Sequence, residues 1–366
     1  MSNISPSNIE KIKKEKSGID ILGDIYYHAV FGEKINNEDL ERFKWYGIYS
    51  LNENNDSFKL KIPLSLGELN LEQLKKLALI LKTFPNDSIE FSSEQKIEIN
   101  NIKFYDLPAI FNFLKEVDLT THFESGHNVR RVLTCPINGI DNTQILDVEQ
   151  FAKKLNNTFV SNKEFENLPN KLQFAISGYE EGCSLPFTPD VSFNAIKDTK
   201  DKIFFRIKVL ETYIGFITPS QVVKTAIAIA NIYKDYGERT NIEKSSFEYL
   251  IRKSWGLNKF FDLLNSSINY KIQKNVLVKS ENQTRKSKIG IYDSKIENQS
   301  YIGCKINSPI IEKEKIELLS SLLEKYNASK IKITHKGNLI VLDAQKDNAY
   351  IFAKELETID FSPFAK

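Results

Sequence analysis

The stretch LEQLKKLALILKTFPNDSIEFSSEQKIEI, residues 71–99, determines the fold of the first part of this chain. Its first half carries leucines at helical spacing, which are Leu71, Leu74, Leu77 and Leu81. Pro85 interrupts that pattern, and Ile89, Phe91, Ile97 and Ile99 then alternate with polar residues as in a strand. A period near 3.6 indicates an amphipathic helix, and a period of two indicates a half-buried strand. The stretch therefore predicts a helix followed by extended structure.

The same pattern returns 242 positions later (313 − 71), in residues 313–341. The apolar residues at matching offsets are Ile316, Leu319, Leu323, Ile331, Ile333, Leu339 and Val341. Each copy is predicted to run strand, helix, strand and then a further helix, at 107–115 in the first copy and 349–357 in the second. A βαβ unit of about 65 residues buries too little apolar surface to be comfortably stable alone. The two copies are therefore expected to pack together as one pseudo-twofold domain.

The repeat predicts an α+β fold in which one domain is inserted into another. The expected segments are an N-terminal extension (1–45), a first half-domain (46–125), an inserted α+β domain (126–265), a linker (266–295) and a second half-domain (296–366). The linker is predicted because its residues are polar and lysine-rich with little periodicity. In the inserted domain, strands are predicted at 174–177 and 203–209 and helices at 219–236 and 242–254.

The composition excludes several classes of protein. The chain has 366 residues with 50 Lys and Arg against 48 Asp and Glu, so its formal net charge is +2. No overall field would draw it to nucleic acid or to an anionic membrane. Its three cysteines are too few for a disulfide framework, and we find neither a signal-peptide core nor an apolar run of about 18 residues. These features predict a soluble cytoplasmic protein without nucleic-acid or membrane partners.

Common metal and nucleotide motifs are missing from the sequence. The four histidines, His28, His122, His127 and His335, have neither HExxH nor i, i+4 spacing, so no metal site is predicted from them. GxGxxG, Walker A and GxSxG motifs are also missing. Nucleotide-dependent chemistry is therefore not supported.

Five separated segments stand in an order that resembles one enzyme family. They are DLERFKWYGIY (39–49), FSSEQKIEI (91–99), HNVRRVLTCPINGID (127–141), ENLPNKLQFAISG (166–178) and YGERTNIEKSSFEYLI (236–251). Together they resemble the ferredoxin-dependent nitrite and sulfite reductases, which use siroheme and a [4Fe–4S] cluster. The likeness extends from about residue 10 to the end of the chain.

The resemblance implies a fold and a reaction. The half-domains 46–125 and 296–366 would be ferredoxin-like, and 126–265 would be a siroheme-reductase-type α+β domain. The implied reaction is the six-electron reduction of nitrite or sulfite at siroheme. The implied electron donor is ferredoxin or a flavoprotein.

The cluster ligands of the family are not found in this chain. In the family, four cysteines in C-x5-C and C-x3-C pairs follow the second half-ferredoxin segment, whereas this sequence stops at Lys366. Four thiolates cannot be drawn from three cysteines. Cys135, Cys183 and Cys304 are therefore expected to be buried structural residues. The chain alone is expected to be inactive and to need a separate C-terminal cluster-binding half.

Reduction of a small oxyanion requires cations that hold its charge and deliver protons. The resemblance gives four candidate catalytic residues, which are Lys59, Arg130, Lys171 and Gln173. Lys59 stands where the family usually has arginine. Gln173 stands where nitrite reductases have asparagine and sulfite reductases have lysine, so its neutral amide favours nitrite slightly. Without the resemblance, Lys59 in FKLKI is typical of the solvent face of a strand, and Arg130 beside Arg131 is typical of a surface pair.

The resemblance also gives four candidate siroheme-binding residues, Ser92, Gln95, Thr334 and Asn338, in corresponding turns of the two repeats. One departure opposes this function, because the family's siroheme-carboxylate arginine is replaced by Glu94. A carboxylate 4 Å from a siroheme carboxylate would cost about 4 kcal/mol at an effective dielectric constant near 20. An alternative is therefore a degenerate, non-catalytic relative that acts as a binding or scaffold protein.

Overall fold

A computed structural model describes residues 6–84, 86–181, 188–279 and 288–365. Its helices are α1 (Pro6–Glu15), α2 (Leu22–Phe31), α3 (Asn37–Phe43), α4 (Leu71–Thr83), α5 (Leu107–Lys115), α6 (Glu149–Phe159), α7 (Val222–Tyr236), α8 (Phe247–Tyr249), α9 (Leu257–Ser266), α10 (Lys313–Lys325) and α11 (Ala349–Thr358). Its strands are β1 (Ile48–Ser50), β2 (Phe58–Pro63), β3 (Glu68–Asn70), β4 (Ser88–Ser92), β5 (Lys96–Ile102), β6 (Leu133–Thr134), β7 (Phe174–Ser177), β8 (Val191–Lys197), β9 (Ile203–Val209), β10 (Thr212–Ile217), β11 (Gly290–Asp293), β12 (Gln299–Cys304), β13 (Ile310–Glu312), β14 (Lys330–Ile333) and β15 (Leu339–Gln345).

The two repeats form two sheets that share one core. Within the described residues, the first sheet has the order β1-β2-β5-β4-β13 and the second the order β11-β12-β15-β14-β3. The offset of 242 relates α4 to α10 at both ends (313 − 71 and 325 − 83). The predicted α+β fold with two paired half-domains is confirmed. The short edge strands escaped the sequence analysis because three or four residues carry too little alternation.

The half-domains exchange one strand each. β3 comes from the first repeat and pairs with β14 of the second, with Leu69 opposite Ile331. β13 comes from the second repeat and pairs with β4 of the first, with Ile311 opposite Ile89. Both pairings are antiparallel and obey the same symmetry, since 311 − 69 and 331 − 89 both equal 242. All four side chains are at most 2% exposed, so the exchange is part of the core.

The helix predicted from the opening stretch begins at a capping box. The Asn70 side chain accepts a hydrogen bond from the Gln73 backbone N–H (2.8 Å), and the Gln73 side chain accepts one from the Asn70 N–H (3.0 Å). These bonds satisfy N–H groups that have no partner within a helix. α4 ends before Phe84, which is extended, whereas Pro85 lies outside the described residues. α4 packs against α10 across the pseudo-twofold axis.

A third sheet forms the inserted part, with the order β10-β9-β8-β7-β6 within the described residues. β6, β7 and β8 are parallel, and β8, β9 and β10 are antiparallel. The predicted strands 174–177 and 203–209 appear with the same bounds as β7 and β9. The predicted helix 219–236 is a 3-10 turn followed by α7, whereas 242–254 breaks into a 3-10 turn, α8 and a π-helical turn, Leu250–Trp255.

The predicted linker contains ordered contacts. Phe216 and Gln273 exchange two backbone hydrogen bonds, at 2.8 and 3.0 Å, so this part of the chain lines the edge of the third sheet. Residues 290–293 form β11, the counterpart of β1. The segment bounds drawn from the sequence stay predictions.

The inserted domain lies on the second sheet. Ile140 packs with Tyr301, Ile340 and Leu342 in a small apolar cluster.

Cys135 and Cys304 are buried, at 2% and 0% exposure, and Cys183 lies outside the described residues. Among the helices that the structure describes, none combines the length and the apolar character needed to cross a bilayer.

Candidate functional site

A cleft lies between the first half-domain and the inserted domain. It is lined by Pro63, Leu64, Glu94, Gln95, Lys96, Glu124, Arg130, Arg131, Val132, Leu133 and Gln173. The cleft is open to solvent, and its enclosed part, about 10 Å³, has room for about one water molecule. Its lining carries three cationic and two anionic side chains, a formal charge of +1 (3 − 2). Charge is therefore the main property that the cleft offers a ligand.

The turn between β4 and β5 forms one wall of this cleft. Its backbone is closed by a hydrogen bond from the Gln95 N–H to the Ser92 carbonyl (3.0 Å). Gln95 adopts a left-handed conformation with φ of 57°, which is uncommon for a residue with a side chain. The Ser92 hydroxyl accepts a hydrogen bond from the Glu94 N–H (3.3 Å). This compact turn places Glu94 and Lys96 side by side.

Lys96 is the centre of a buried ion-pair network. Its Nζ lies 2.6 Å from a carboxylate oxygen of Glu124 and also contacts Glu94. Burial alone would lower the pKa of Lys96, but the two carboxylates outweigh it and raise that pKa above its usual value. Burial likewise opposes ionisation of Glu94, yet Lys96, Lys171 and Arg130 lower the pKa of Glu94 to about 2. Lys96 and Glu94 are therefore both charged at neutral pH.

The other wall brings Arg130, Lys171 and Gln173 together. The Arg130 N–H donates a hydrogen bond to the Leu172 carbonyl (2.9 Å), which aligns the two segments side by side. The Arg130 guanidinium donates to the side chain of Asn128. The Gln173 amide donates to the carbonyl of Arg131 (2.9 Å), so its orientation is fixed. Backbone pairing thus makes neighbours of residues about 40 positions apart in sequence.

Asp190 lies behind Gln173. Its carboxylate accepts a hydrogen bond from the Gln173 backbone N–H (2.8 Å). Burial raises the pKa of Asp190 to about 6, although the hydrogen bond from Gln173 and the charge of Lys171 act in the opposite direction. Asp190 therefore holds its proton more readily than an ordinary aspartic acid, and it lies next to the predicted oxyanion residue Gln173.

The structure brings three of the four candidate catalytic residues to one place. Arg130 and Gln173 line the cleft, and Lys171 stands at its rim with its Nζ 3.8 Å from Glu94. Lys59 lies apart from them on β2, where its Nζ is 2.5 Å from Glu98. The two side chains are only 24% and 10% exposed, so this ion pair is largely covered and does not lie on an open solvent face. The catalytic assignment of all four residues stays a prediction.

The candidate siroheme-binding residues connect the two symmetry-related turns with each other and with the inserted domain. The Gln95 amide donates to the carbonyl of Ile333 (3.3 Å) and accepts from the N–H of Thr134 (3.3 Å). The Thr334 hydroxyl accepts from the N–H of Asn338 (3.0 Å), and the Asn338 side chain accepts from the N–H of Ile306 (3.0 Å). These bonds hold the two symmetry-related turns and the inserted domain together.

His335 completes this junction. Its Nε2 lies 2.9 Å from the carbonyl of Thr134 and its Nδ1 lies 3.4 Å from that of Ser93. Burial and the nearby charge of Lys288 lower the pKa of His335 to about 4, although both carbonyls favour its protonation. The ring is therefore neutral at neutral pH, and only one of its nitrogens donates. Ser93 and His335 are themselves related by the 242-residue offset (335 − 93).

Two residues of the cleft lining were not predicted as site residues from the sequence, and a third was given only a minor role. Glu124 and Arg131 line the cleft, and Lys96 had been considered only as partial compensation for Glu94. The position of Glu124 depends on long-range packing, so no spacing in the sequence could have indicated it. The doublet of Arg130 and Arg131 was the available signal for the second arginine, but it is also typical of exposed surfaces.

Siroheme carries carboxylates, so its site needs cations and available hydrogen-bond donors. In this chain the Gln95 amide already bonds within the protein, and the Glu94 carboxylate occupies the wall where a carboxylate-binding arginine would stand. This arrangement fits a small anion beside Arg130 and Lys171, and it does not fit a tetrapyrrole carboxylate at the turn. The assignment of Ser92, Gln95, Thr334 and Asn338 to siroheme stays a prediction.

A [4Fe–4S] cluster does not fit the residues of this chain either. The cluster needs four thiolates, and the chain has three cysteines. Across the described residues, no group of three or more His, Cys, Asp and Glu side chains could hold a metal ion. Thiolates for a cluster would have to come from another polypeptide segment.

Two family models match the sequence. A nitrite and sulphite reductase 4Fe-4S domain matches residues 125–272, and a nitrite/sulfite reductase ferredoxin-like half domain matches residues 52–117. The first match covers the third sheet and one wall of the cleft. The second covers most of the first half-domain, including the turn that carries Glu94.

Curated relatives match over most of this chain and over part of their own length. A ferredoxin–nitrite reductase of Leptolyngbya laminosa is 26% identical over 316 residues, which cover 82% of this chain and 62% of that protein. The chloroplastic ferredoxin–nitrite reductase of Oryza sativa subsp. japonica is 22% identical over 398 residues, with 99% of this chain and 65% of that protein covered. This chain therefore spans less than two thirds of the length of these relatives.

A solved structure has the same fold. The NirA protein of Mycobacterium tuberculosis superposes with a TM-score of 0.88 at 20% identity, and the match covers 99% of this chain and 71% of that chain. At this level of identity the likeness concerns the fold alone.

Proposed function

Since this chain belongs to the nitrite and sulfite reductase family, we propose that its cleft binds a small oxyanion, nitrite in preference to sulfite. The observation that carries this proposal is the convergence of Arg130, Lys171 and Gln173 beside the cleft. A cation next to an oxyanion stabilises its charge, and charge-assisted hydrogen bonds are about twice as strong as neutral ones. The side-chain amide of Gln173 is neutral. A cation at this position would instead favour a more highly charged anion.

The chain would then form the oxyanion-binding part of a cytoplasmic reductase. Ferredoxin or a flavoprotein would deliver the electrons in an assembly with a cluster-binding segment that this chain does not contain, because the residues present here fit neither a siroheme carboxylate at the turn nor a [4Fe–4S] cluster. Within this chain, Arg130 would orient the anion through its planar guanidinium. Lys171 is exposed and carries protons on Nζ that it can donate to an oxygen atom of the anion.

Anion binding tests the proposal directly. In isothermal titration calorimetry at low ionic strength, the variants Arg130→Ala and Lys171→Ala should each bind nitrite about tenfold more weakly than the unmodified chain, because hydrogen bonds to charged groups contribute about 1.5–3 kcal/mol. Lys75→Ala is the matched control, since Lys75 pairs with Glu324 on the surface away from the cleft. Nitrite affinities that are equal in all four proteins would contradict the assignment of the site.

A second candidate is a non-catalytic binding or scaffold protein. It is favoured by the Glu94 carboxylate in the cleft wall. Because this chain cannot provide a cluster, we expect no reduction of nitrite or sulfite by the isolated chain with reduced methyl viologen, even after incubation with siroheme. Visible absorption of bound siroheme after gel filtration would favour the function as part of a reductase over the function as a scaffold protein. Measurable turnover of nitrite or sulfite would show that the expected inactivity of the isolated chain is wrong.

A further inference from the structure

We infer that Glu94 determines which charge of anion the cleft accepts, favouring monoanions over dianions. This inference rests on the proposed function, because it concerns the same oxyanion site. It assigns a specificity-determining role to a residue that departs from the family pattern.

The position of Glu94 is the first reason. Its two carboxylate oxygens face two different lysines, since Oε2 contacts the buried Lys96 and Oε1 lies 3.8 Å from Nζ of the exposed Lys171. Glu94 therefore stands between the interior of the protein and the rim of the cleft. An anion that binds Lys171 has to share this cation with the Glu94 carboxylate.

The distribution of charge is the second reason. Lys96 is fully engaged by Glu124 and Glu94, so little of its charge is available to a ligand. Arg130 and Arg131 in the lining and Lys171 at the rim remain as the cations nearest a ligand, and Glu94 offsets one of these three charges. Burial opposes ionisation of Glu94, but the surrounding cations lower its pKa to about 2, so this offset persists at all pH values of interest.

The consequence follows from Coulomb's law. The repulsion between Glu94 and a ligand grows in proportion to the ligand's charge, so a dianion is repelled twice as strongly as a monoanion at the same place. Its attraction to these three cations also doubles, but the net charge near the ligand is only about +2 with Glu94 and about +3 without it. Removing the Glu94 charge should therefore benefit dianions more than monoanions.

The substitution Glu94→Gln tests the inference, because it keeps the shape of the side chain and removes its charge. Nitrite and sulfite affinities are measured by calorimetry in mildly alkaline buffer, where sulfite is a dianion. The ratio of sulfite to nitrite affinity should rise about tenfold in Glu94→Gln relative to the unmodified chain, as expected for removing one unit charge near a partly solvated site. Nitrate and sulfate, measured in the same way, separate the effect of charge from that of shape.

Two further variants complete the design. Glu94→Asp keeps the charge and should keep the original ratio, which shows that the charge and not the exact side chain matters. Glu116→Gln removes the charge of an exposed glutamate that pairs with Lys76, and it should also leave the ratio unchanged. Far-ultraviolet circular dichroism confirms that each variant is folded before titration.

The outcomes separate this inference from the proposed function. If Glu94→Gln binds both anions with the original ratio, the inference on Glu94 is overturned and the oxyanion site stands. If neither the unmodified chain nor any variant binds either anion, both are overturned. If the ratio rises equally in Glu94→Gln and Glu116→Gln, the effect is one of overall charge and the specific role of Glu94 is rejected.

Discussion

Lys96→Met should lower the free energy of unfolding by about 3–5 kcal/mol, the amount typical of removing one partner from a buried ion pair. The substitution keeps the length of the side chain and removes its charge. It leaves the Glu124 carboxylate, at 4% exposure, without the cation that lies 2.6 Å away, and it removes one of the cations next to Glu94. Urea unfolding followed by circular dichroism measures the change, provided that the slope with denaturant stays constant.

The matched control is Lys75→Met on α4. Lys75 pairs with Glu324 at 2.9 Å, but both side chains are about half exposed, and exposed pairs contribute at most about 1 kcal/mol. A loss in Lys96→Met that is no larger than the loss in Lys75→Met would show that the network around Lys96 does not stabilise the fold.

The same network has a pH dependence whose sign follows from Glu94. Its pKa is lowered in the folded protein to about 2 from an ordinary 4.5, so the folded state favours its ionised form. The stabilisation is therefore fully present above the ordinary pKa, and it is lost as the pH falls from about 4.5 towards 2. In Lys96→Met this acid-dependent loss should be smaller, because the main cation that lowers the pKa is gone.

The second large effect concerns the exchanged strands. Leu69→Ala in β3 and Ile311→Ala in β13 should each lower the free energy of unfolding by about 2–5 kcal/mol, as is usual for large-to-small changes in a core. The two residues are related by the 242-residue offset and are 0% and 2% exposed. Because each strand belongs to the sheet of the other repeat, either substitution should destabilise both half-domains, and hydrogen exchange should accelerate in β4 and in β14 alike.

Leu79→Ala serves as the control for these substitutions. Leu79 lies on α4 and is 40% exposed, so its truncation should change stability much less. Faster exchange in only one sheet after Leu69→Ala would contradict the view that the exchanged strands unite the two repeats into one cooperative unit.

The repeat was predictable because it depends on local patterns. Leucines at helical spacing and alternation after Pro85 appear twice in the sequence, and each pattern reports one element. The strand exchange was not predictable, since β3 and β13 have three residues each and their partners lie about 220–260 positions away. Nothing local distinguishes an exchanged strand from one that pairs within its own repeat.

The proximity of three candidate residues was predictable to a similar degree, whereas their role stays a prediction. Arg130, Lys171 and Gln173 were proposed from the order of motifs, and backbone pairing does place them together. From the sequence, the Glu94 carboxylate was expected to disfavour siroheme binding. Glu124 could not be found in this way, because its carboxylate reaches Lys96 only through the tertiary fold. Contacts between charged side chains in different domains depend on packing, which short-range patterns do not encode.

The exchange of β3 and β13 also has a consequence for biosynthesis. When β4 leaves the ribosome, the strand that completes its edge, β13, is still 218 residues away (310 − 92). At about 5–20 residues per second, translation of that stretch takes roughly 10–45 s. Throughout this interval the nascent chain exposes an open β-edge with unpaired N–H and C=O groups, which readily pairs with other polypeptides. Ribosome-associated chaperones should therefore be needed most between synthesis of the first repeat and synthesis of the second.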